Sequence, residues 1–476
     1  MAQSKSFLRN LIGFSIVTWV TFVVGFLTQP IATRLYDPTQ LGFIDMFITN
    51  ANLLMALALL GLDQACARFY LERPGGVTKR QLFTFVLITS SVFLLIIGVI
   101  ILFFFRRTIS IYTVGYDSWI IVFLLLVFAF SLLWIRYLNL MYRLQENTKF
   151  FNLQGILALM STKVLYLVIA FYNPNHLPAI ITMTVANTII AIFFMFVQRR
   201  NYGNPSYQNR RFVTEIRRFS LPLAPIEIMA WLNASISMLI ITRVLGFHEL
   251  GVYTRAVTLA NLVNIIQAGF NAFWAPYAYA NFKENNEKLW EIHKLMITVI
   301  TLLGLGIVLF QDVLFLMLGS EFRSGVVFFP FLLLAPICWT YGEATGLGIN
   351  ISKKTHWSMI ILCITVVTNL VLCFLLVPIL GLSGAAIGAA VSGLVSVVMR
   401  TIVGERHYRL LKNLRYIGSS LVILSLSAVL NYIAIEQFFM RYSITISLML
   451  VACLFYRKEV IFILVNCYCI IFQKNR

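Results

Sequence analysis

Long apolar runs recur along this chain, parted by short polar segments, from Leu11–Thr28 at the start to Phe438–Tyr456 near the end. Crossing about 30 Å of hydrocarbon takes roughly 20 residues at 1.5 Å per residue, and fourteen such runs are present, each predicted to be a membrane-spanning helix. The strict apolar and polar alternation of barrel strands is missing, so the pattern predicts an all-α integral membrane protein. Span 14 is the least regular, because Arg441 stands near its entrance. The apolar tail Val460–Phe472 is expected to lie along the surface or pack on the bundle. Lys5 and Arg9 precede the first run, which lacks a small-residue cleavage site and is read as an uncleaved span.

A repeat organises the runs. Thr33–Leu53 (TRLYDPTQLGFIDMFITNANL) returns as Thr242–Leu262 (TRVLGFHELGVYTRAVTLANL) at an offset of 209, with eight of 21 positions identical. Arg34/Arg243, Gly42/Gly251 and Asn52/Asn261 are among the matches, which shared apolar character does not explain. The register pairs Arg9 with Arg218 and Tyr70 with Tyr279. The expected organisation is an N-lobe of six spans (1–197), a basic cytoplasmic linker (198–218, QRRNYGNPSYQNRRFVTEIRR), a C-lobe of six spans (219–404), and spans 13 and 14 with the tail (405–476). An even number of spans per copy makes both copies enter from one side, related by a pseudo-twofold axis along the membrane normal.

Composition agrees: 60% of residues are hydrophobic, 12% are charged, and the mean hydropathy is +0.87. The formal charge of +19 suggests nucleic acid until the bases are placed. With the N-terminus inside, the cytoplasmic loops and ends collect most Lys and Arg, and the outer loops keep Arg34, Arg106, Arg107, Arg243, Arg323 and Arg441. That asymmetry sets both termini in the cytoplasm and reads the charge as topology and headgroup contact, not nucleic-acid binding. Seven cysteines lie in or beside apolar runs without CxxC spacing, and five histidines are scattered singly, so no disulfide framework, metal site or cofactor is expected. There is no GxSxG, HExxH or Walker loop, and the loops are too short for a catalytic or nucleotide-binding domain. No catalytic residue is assigned; the chain reads as a non-enzyme.

Candidate chemistry therefore rests on polar groups at membrane depth, where a lone charge costs several kcal/mol. These are Asp45 in span 2, Lys163 in span 5, Glu227 in span 7, Arg255 in span 8 and Glu343 in span 10. Lys163 suits an anionic headgroup or a structural ion pair; Asp45, Glu227 and Glu343 are gating or ion-coupling candidates. The repeat sets position 46 on 255, so Asp45 and Arg255 are expected at similar depth, as a gate or as pairs within their own lobes. Arg136 is read as snorkelling to its span end. Arg34 and Arg243 stand at symmetric corners, as substrate contacts or as headgroup anchors. Trp19, Trp231 and Asn233 give the first span of each lobe an aromatic face with hydrogen-bonding neighbours, suited to a sugar ring or to ordinary packing. Pro222, Pro225, Pro330 and Pro336 allow bends, and Gly381–Gly393 (GLSGAAIGAAVSG) offers a close-packing face.

The corner ATRLYDPTQLG, the segment GLDQACARFY (Gly61–Tyr70), its counterpart AFWAP (Ala272–Pro276) and PILGLSGAAIGAA resemble the Wzx-type polysaccharide repeat-unit flippases. These belong to the multidrug/oligosaccharidyl-lipid/polysaccharide (MOP) exporter superfamily. The resemblance covers nearly the whole chain. It implies two six-helix lobes about a cavity lined by spans 1, 2, 7 and 8, in a bacterial cytoplasmic membrane. Alternating access would move an undecaprenyl-diphosphate-linked oligosaccharide to the outer leaflet, with cationic cavity residues drawing the diphosphate; Lys163 and Arg255 take that role here. Membrane lipids, a polysaccharide polymerase and glycosyltransferases are the implied partners. A MATE-like drug or cation antiporter and a peptidoglycan-precursor flippase are the competing readings.

Overall fold

The computed structural model describes residues 2–205, 207, 209–265, 267, 270, 274, 277–279, 282, 286–409 and 413–472, and these fold as helices joined by turns. Among the described residues, eleven helices are long and apolar enough to span a membrane, or twelve if the pair Ser320–Val327 and Phe329–Thr345, bent by 65°, is one span. Span 1 and span 8 account for the difference from fourteen: each lies in a helix whose description is partial. Of the AFWAP segment, all but Trp274 lies outside the described residues.

Two compact units emerge, Met1–Gly251 and Val252–Arg476. In the first, α1 (Ala2–Leu35) runs to a tight corner, and α2 (Pro38–Leu59) starts at Asp37, whose carboxylate accepts from the Gln40 amide at 2.9 Å with Pro38 in the first turn. Span 2 then breaks. Leu60 and Gly61 turn left-handed (φ 50° and 70°), and a Cβ on Gly61 would stand 2.6 Å from the Ser220 carbonyl, so the break needs glycine. Beyond it come α3 (Leu62–Phe69), α4 (Lys79–Ile100) behind a Thr78/Gln81 capping box, α5 (Arg106–Val114) and α6 (Trp119–Leu144). Span 5 is two helices, α7 (Thr148–Lys163) and α8 (Leu165–Ala170), and α9 (His176–Val197) completes the group.

The segment expected as a basic linker carries a helix, α10 (Arg210–Ser220). Phe212 and Ile216 are buried while Arg210, Arg211, Arg217 and Arg218 are exposed, so its apolar face packs on α3 and its arginines stay in water. One 3-10 turn at Leu221–Leu223, with Pro222 inside it, leads into α11 (Ala224–Val244), and α12 (Phe247–Ala260) follows.

The second unit holds α13 (Asn286–Leu309), α14 (Gln311–Leu316), α15 (Phe329–Thr345), α16 (Leu347–Ile351), α17 (His356–Leu380), α18 (Leu382–His407), α19 (Arg415–Ile433), α20 (Phe438–Phe455) and α21 (Arg457–Phe472). The small-residue run brings α18 against α17 so closely that a Cβ on Gly384 would meet the Leu376 carbonyl at 2.3 Å. Arg441 at the start of α20 is 4% exposed, which its counter-ion explains: Asp312 on α14 pairs with it and also accepts from the Tyr442 hydroxyl at 3.0 Å. The tail helix α21 packs on α13. Tyr341, fully buried on α15, shares hydrogen bonds with Thr301 on α13 (3.1 Å) and Ser420 on α19 (2.7 Å). Tyr341→Phe removes one hydroxyl from this buried network, in which Thr301 and Ser420 still bond each other at 2.6 Å, at a cost of about 1 kcal/mol. A lowered thermal midpoint in detergent is expected; an unchanged midpoint contradicts this role.

Candidate functional site

The repeated corner comes together in the first unit. A Cβ on Gly42 would fall 2.0 Å from the Phe247 carbonyl oxygen, and one on Gly251 would fall 1.9 Å from the Pro38 carbonyl oxygen. Residues 38 and 247 are themselves equivalent at the offset of 209, so each glycine meets the other copy's carbonyl four residues before its glycine. Such reciprocity is the contact pattern of a local twofold. Aromatic rings close the corner: Phe43 packs on Phe247 (4.6 Å between centroids) and on His176 (4.7 Å). His176 Nδ1 donates to Gln40 Oε1 at 2.7 Å, leaving Nε2 to accept from the Tyr116 hydroxyl, also at 2.7 Å. This ties α2, the α5–α6 turn and α9.

From the corner, α11 runs against α2. Trp231 spends its indole N–H on the Thr49 carbonyl at 3.1 Å, and Thr49 Oγ1 donates back to the Asp45 carbonyl at 2.7 Å. At the far end of α2, the break at Leu60–Gly61 sets Asp63 on the first turn of α3, where the helix dipole favours a carboxylate. Arg136 from α6 reaches it with Nη2 at 2.6 Å and Nε at 3.1 Å. The neighbouring Gln64 donates to Glu227 on α11 at 2.7 Å. Asp63, Gln64, Arg136 and Glu227 thus form one polar cluster from α3, α6 and α11.

Lys163 is half-buried and ends α7, and the next residue, Val164, leaves helical geometry (φ −117°, ψ −48°). The interruption is stabilised by the Tyr36 hydroxyl, which donates to the Tyr166 carbonyl at 2.7 Å while their rings stack at 5.9 Å.

The other candidates are more dispersed. Arg34 and Arg243 are both exposed, Arg243 lying over the Tyr112 ring at 5.7 Å, the posture of a headgroup anchor. Trp19 is exposed on α1; Asn233 is half-buried on α11, as is Asp45 on α2. In the second unit Arg255 is 5% exposed on α12, with Nη2 3.5 Å from the Thr254 hydroxyl. Glu343 on α15 pairs with Arg400 of α18 at 2.8 Å, and that guanidinium stacks over Trp339 at 4.5 Å.

Three charged residues in these pairs escaped the sequence reading. Asp63 and Arg400 fall one residue outside the predicted ends of spans 2 and 12, and Arg136, expected to snorkel, pairs with Asp63.

Fold and site together define a multi-pass helical membrane protein. Lipid II flippase MurJ in its inward closed conformation has a TM-score of 0.70 to this chain at 15% identity, covering 94% of this chain and 100% of that one. An inward-facing MATE family multidrug resistance transporter of the MOP superfamily scores 0.56 at 17% identity, over 81% and 94%. The chain belongs to the polysaccharide biosynthesis protein family, whose profile matches residues 7–282. Lsg locus protein 1 of Haemophilus influenzae is 23% identical over 182 residues, a match spanning 34% of this chain and 45% of that protein.

Proposed function

We propose that this protein flips a polyprenyl-diphosphate-linked oligosaccharide repeat unit from the inner to the outer leaflet of the bacterial cytoplasmic membrane by alternating access, for cell-surface polysaccharide assembly. The observation that carries this reading is a polysaccharide biosynthesis family match on a chain with the MOP exporter fold. The physics fits: a glycan cannot cross hydrocarbon unaided, whereas a polyprenyl tail stays in lipid, so only the head needs a polar path. Lys163 and Arg255 take the diphosphate, while Trp19, Trp231 and Asn233 offer sugar contacts. Glu227 is a coupling candidate; the ion pair with Arg400 favours a structural role for Glu343.

Full coverage of the lipid II flippase supports a second reading, a peptidoglycan precursor, which shares the polyprenyl-diphosphate anchor. Deletion in the native host followed by analysis of lipid-linked intermediates separates the two. The proposal expects a surface-polysaccharide repeat unit to accumulate on the inner leaflet; accumulation of peptidoglycan precursor supports the second reading, and no accumulation of either sinks both.

Lys163→Gln is expected to slow glycan export about tenfold, the worth of one charge-assisted contact, while Lys163→Arg keeps much of the rate. Export by the glutamine variant at the wild-type rate removes Lys163 from the site.

A further inference from the structure

A cavity of about 220 Å³ opens between α13 and α21, lined by Glu291, Lys294, Leu295, Lys458, Glu459 and Phe462. Two cations and two carboxylates face one another there, beside the exposed Ile461, Phe462, Leu464 and Val465 of α21, a surface suited to lipid. Glu459 is 6% exposed. Its Oε1 is occupied, with Lys294 Nζ at 3.5 Å and the Tyr416 hydroxyl of α19 donating at 3.3 Å. Its Oε2 is buried with no donor. A buried carboxylate oxygen left this way costs free energy, so the cavity wants an N–H or O–H from its occupant.

The lining selects that occupant. Among the described lining residues two positive and two negative charges cancel, so a zwitterion matches the cavity better than an anion. A choline headgroup brings a positive charge and no N–H, which leaves Oε2 as it was. An ethanolamine headgroup brings an ammonium with three donors and a phosphate for the lysines. We propose that this cavity is a headgroup site for an aminophospholipid of the phosphatidylethanolamine class, its ammonium taken by Glu459 and Glu291 and its phosphate by Lys458 and Lys294. The lipid would pin the tail helix α21 to α13. The inference rests on the membrane-spanning fold and not on the transported substrate, so it stands or falls apart from the flippase reading.

The test is thermal unfolding of the full-length protein in neutral detergent with equal amounts of phosphatidylethanolamine, phosphatidylcholine or phosphatidylglycerol of the same acyl chains, with native mass spectrometry of retained lipid. Phosphatidylethanolamine is expected to raise the midpoint by about 3 °C more than phosphatidylcholine. Glu459→Gln and Lys458→Ala should each lose most of that difference; Lys458 is exposed, so its variant folds even where the glutamine does not. Equal shifts from the ethanolamine and choline lipids, a larger shift from phosphatidylglycerol, or a full ethanolamine shift in Lys458→Ala overturns the proposal.

Discussion

Alanine at Gly42 forces the two copies of the corner apart. The added methyl would sit 2.0 Å from the Phe247 carbonyl oxygen, so that backbone must recede by about 1 Å before the side chain is accommodated at all. Overpacking of this kind costs about 1–3 kcal/mol, and the same holds for Gly251→Ala against Pro38. The reciprocity adds a sharper expectation. Once one methyl has opened the corner, the second enters a gap already made, so the double variant should cost clearly less than the sum of the singles. Thermal unfolding of the three variants checks this. Additive costs would mean that the two glycines pack independently and that the repeat does not meet itself there.

The second large effect is an asymmetry across the Asp63–Arg136 pair. Arg136→Met leaves Asp63, with its side chain 8% exposed, as a buried carboxylate without its cation, at about 3 kcal/mol. Asp63→Asn leaves an arginine whose side chain is 40% exposed, which turns to water and should lose only about 1 kcal/mol. The double variant, with neither charge, is expected to recover most of what Arg136→Met loses. Unfolding midpoints in detergent decide it: equal losses from the two singles, or no recovery in the double, contradict the pairing.

Much of this fold was legible in hydropathy and in the repeat. The offset of 209 pairs Gly42 with Gly251 as repeat positions, and the structure adds that each stands against the other copy's backbone. What hydropathy could not carry is partnership across long separations. Arg441 looked like a flaw in span 14 because Asp312 lies 129 residues away. Asp63 and Arg400 were missed because an apolar window ends where charge begins, although both are tucked against neighbouring helices. The interruption after Lys163 was equally hidden: Leu, Val and Ile flank it, and the group that accepts the break, the Tyr36 hydroxyl, comes from the corner 130 residues earlier. The basic linker reads as loop because its six arginines outweigh Phe212 and Ile216 in composition, yet their spacing of four places both on one face.

Reconstitution asks whether this chain carries a lipid-linked glycan head through the bilayer. Purified protein is placed in vesicles holding a labelled polyprenyl-diphosphate-linked oligosaccharide in both leaflets, and a membrane-impermeant glycosidase is added outside. The inner-leaflet pool is expected to become accessible with wild-type protein, and to do so about tenfold more slowly with Lys163→Gln. An inner pool as protected with the wild-type protein as in protein-free vesicles would contradict it.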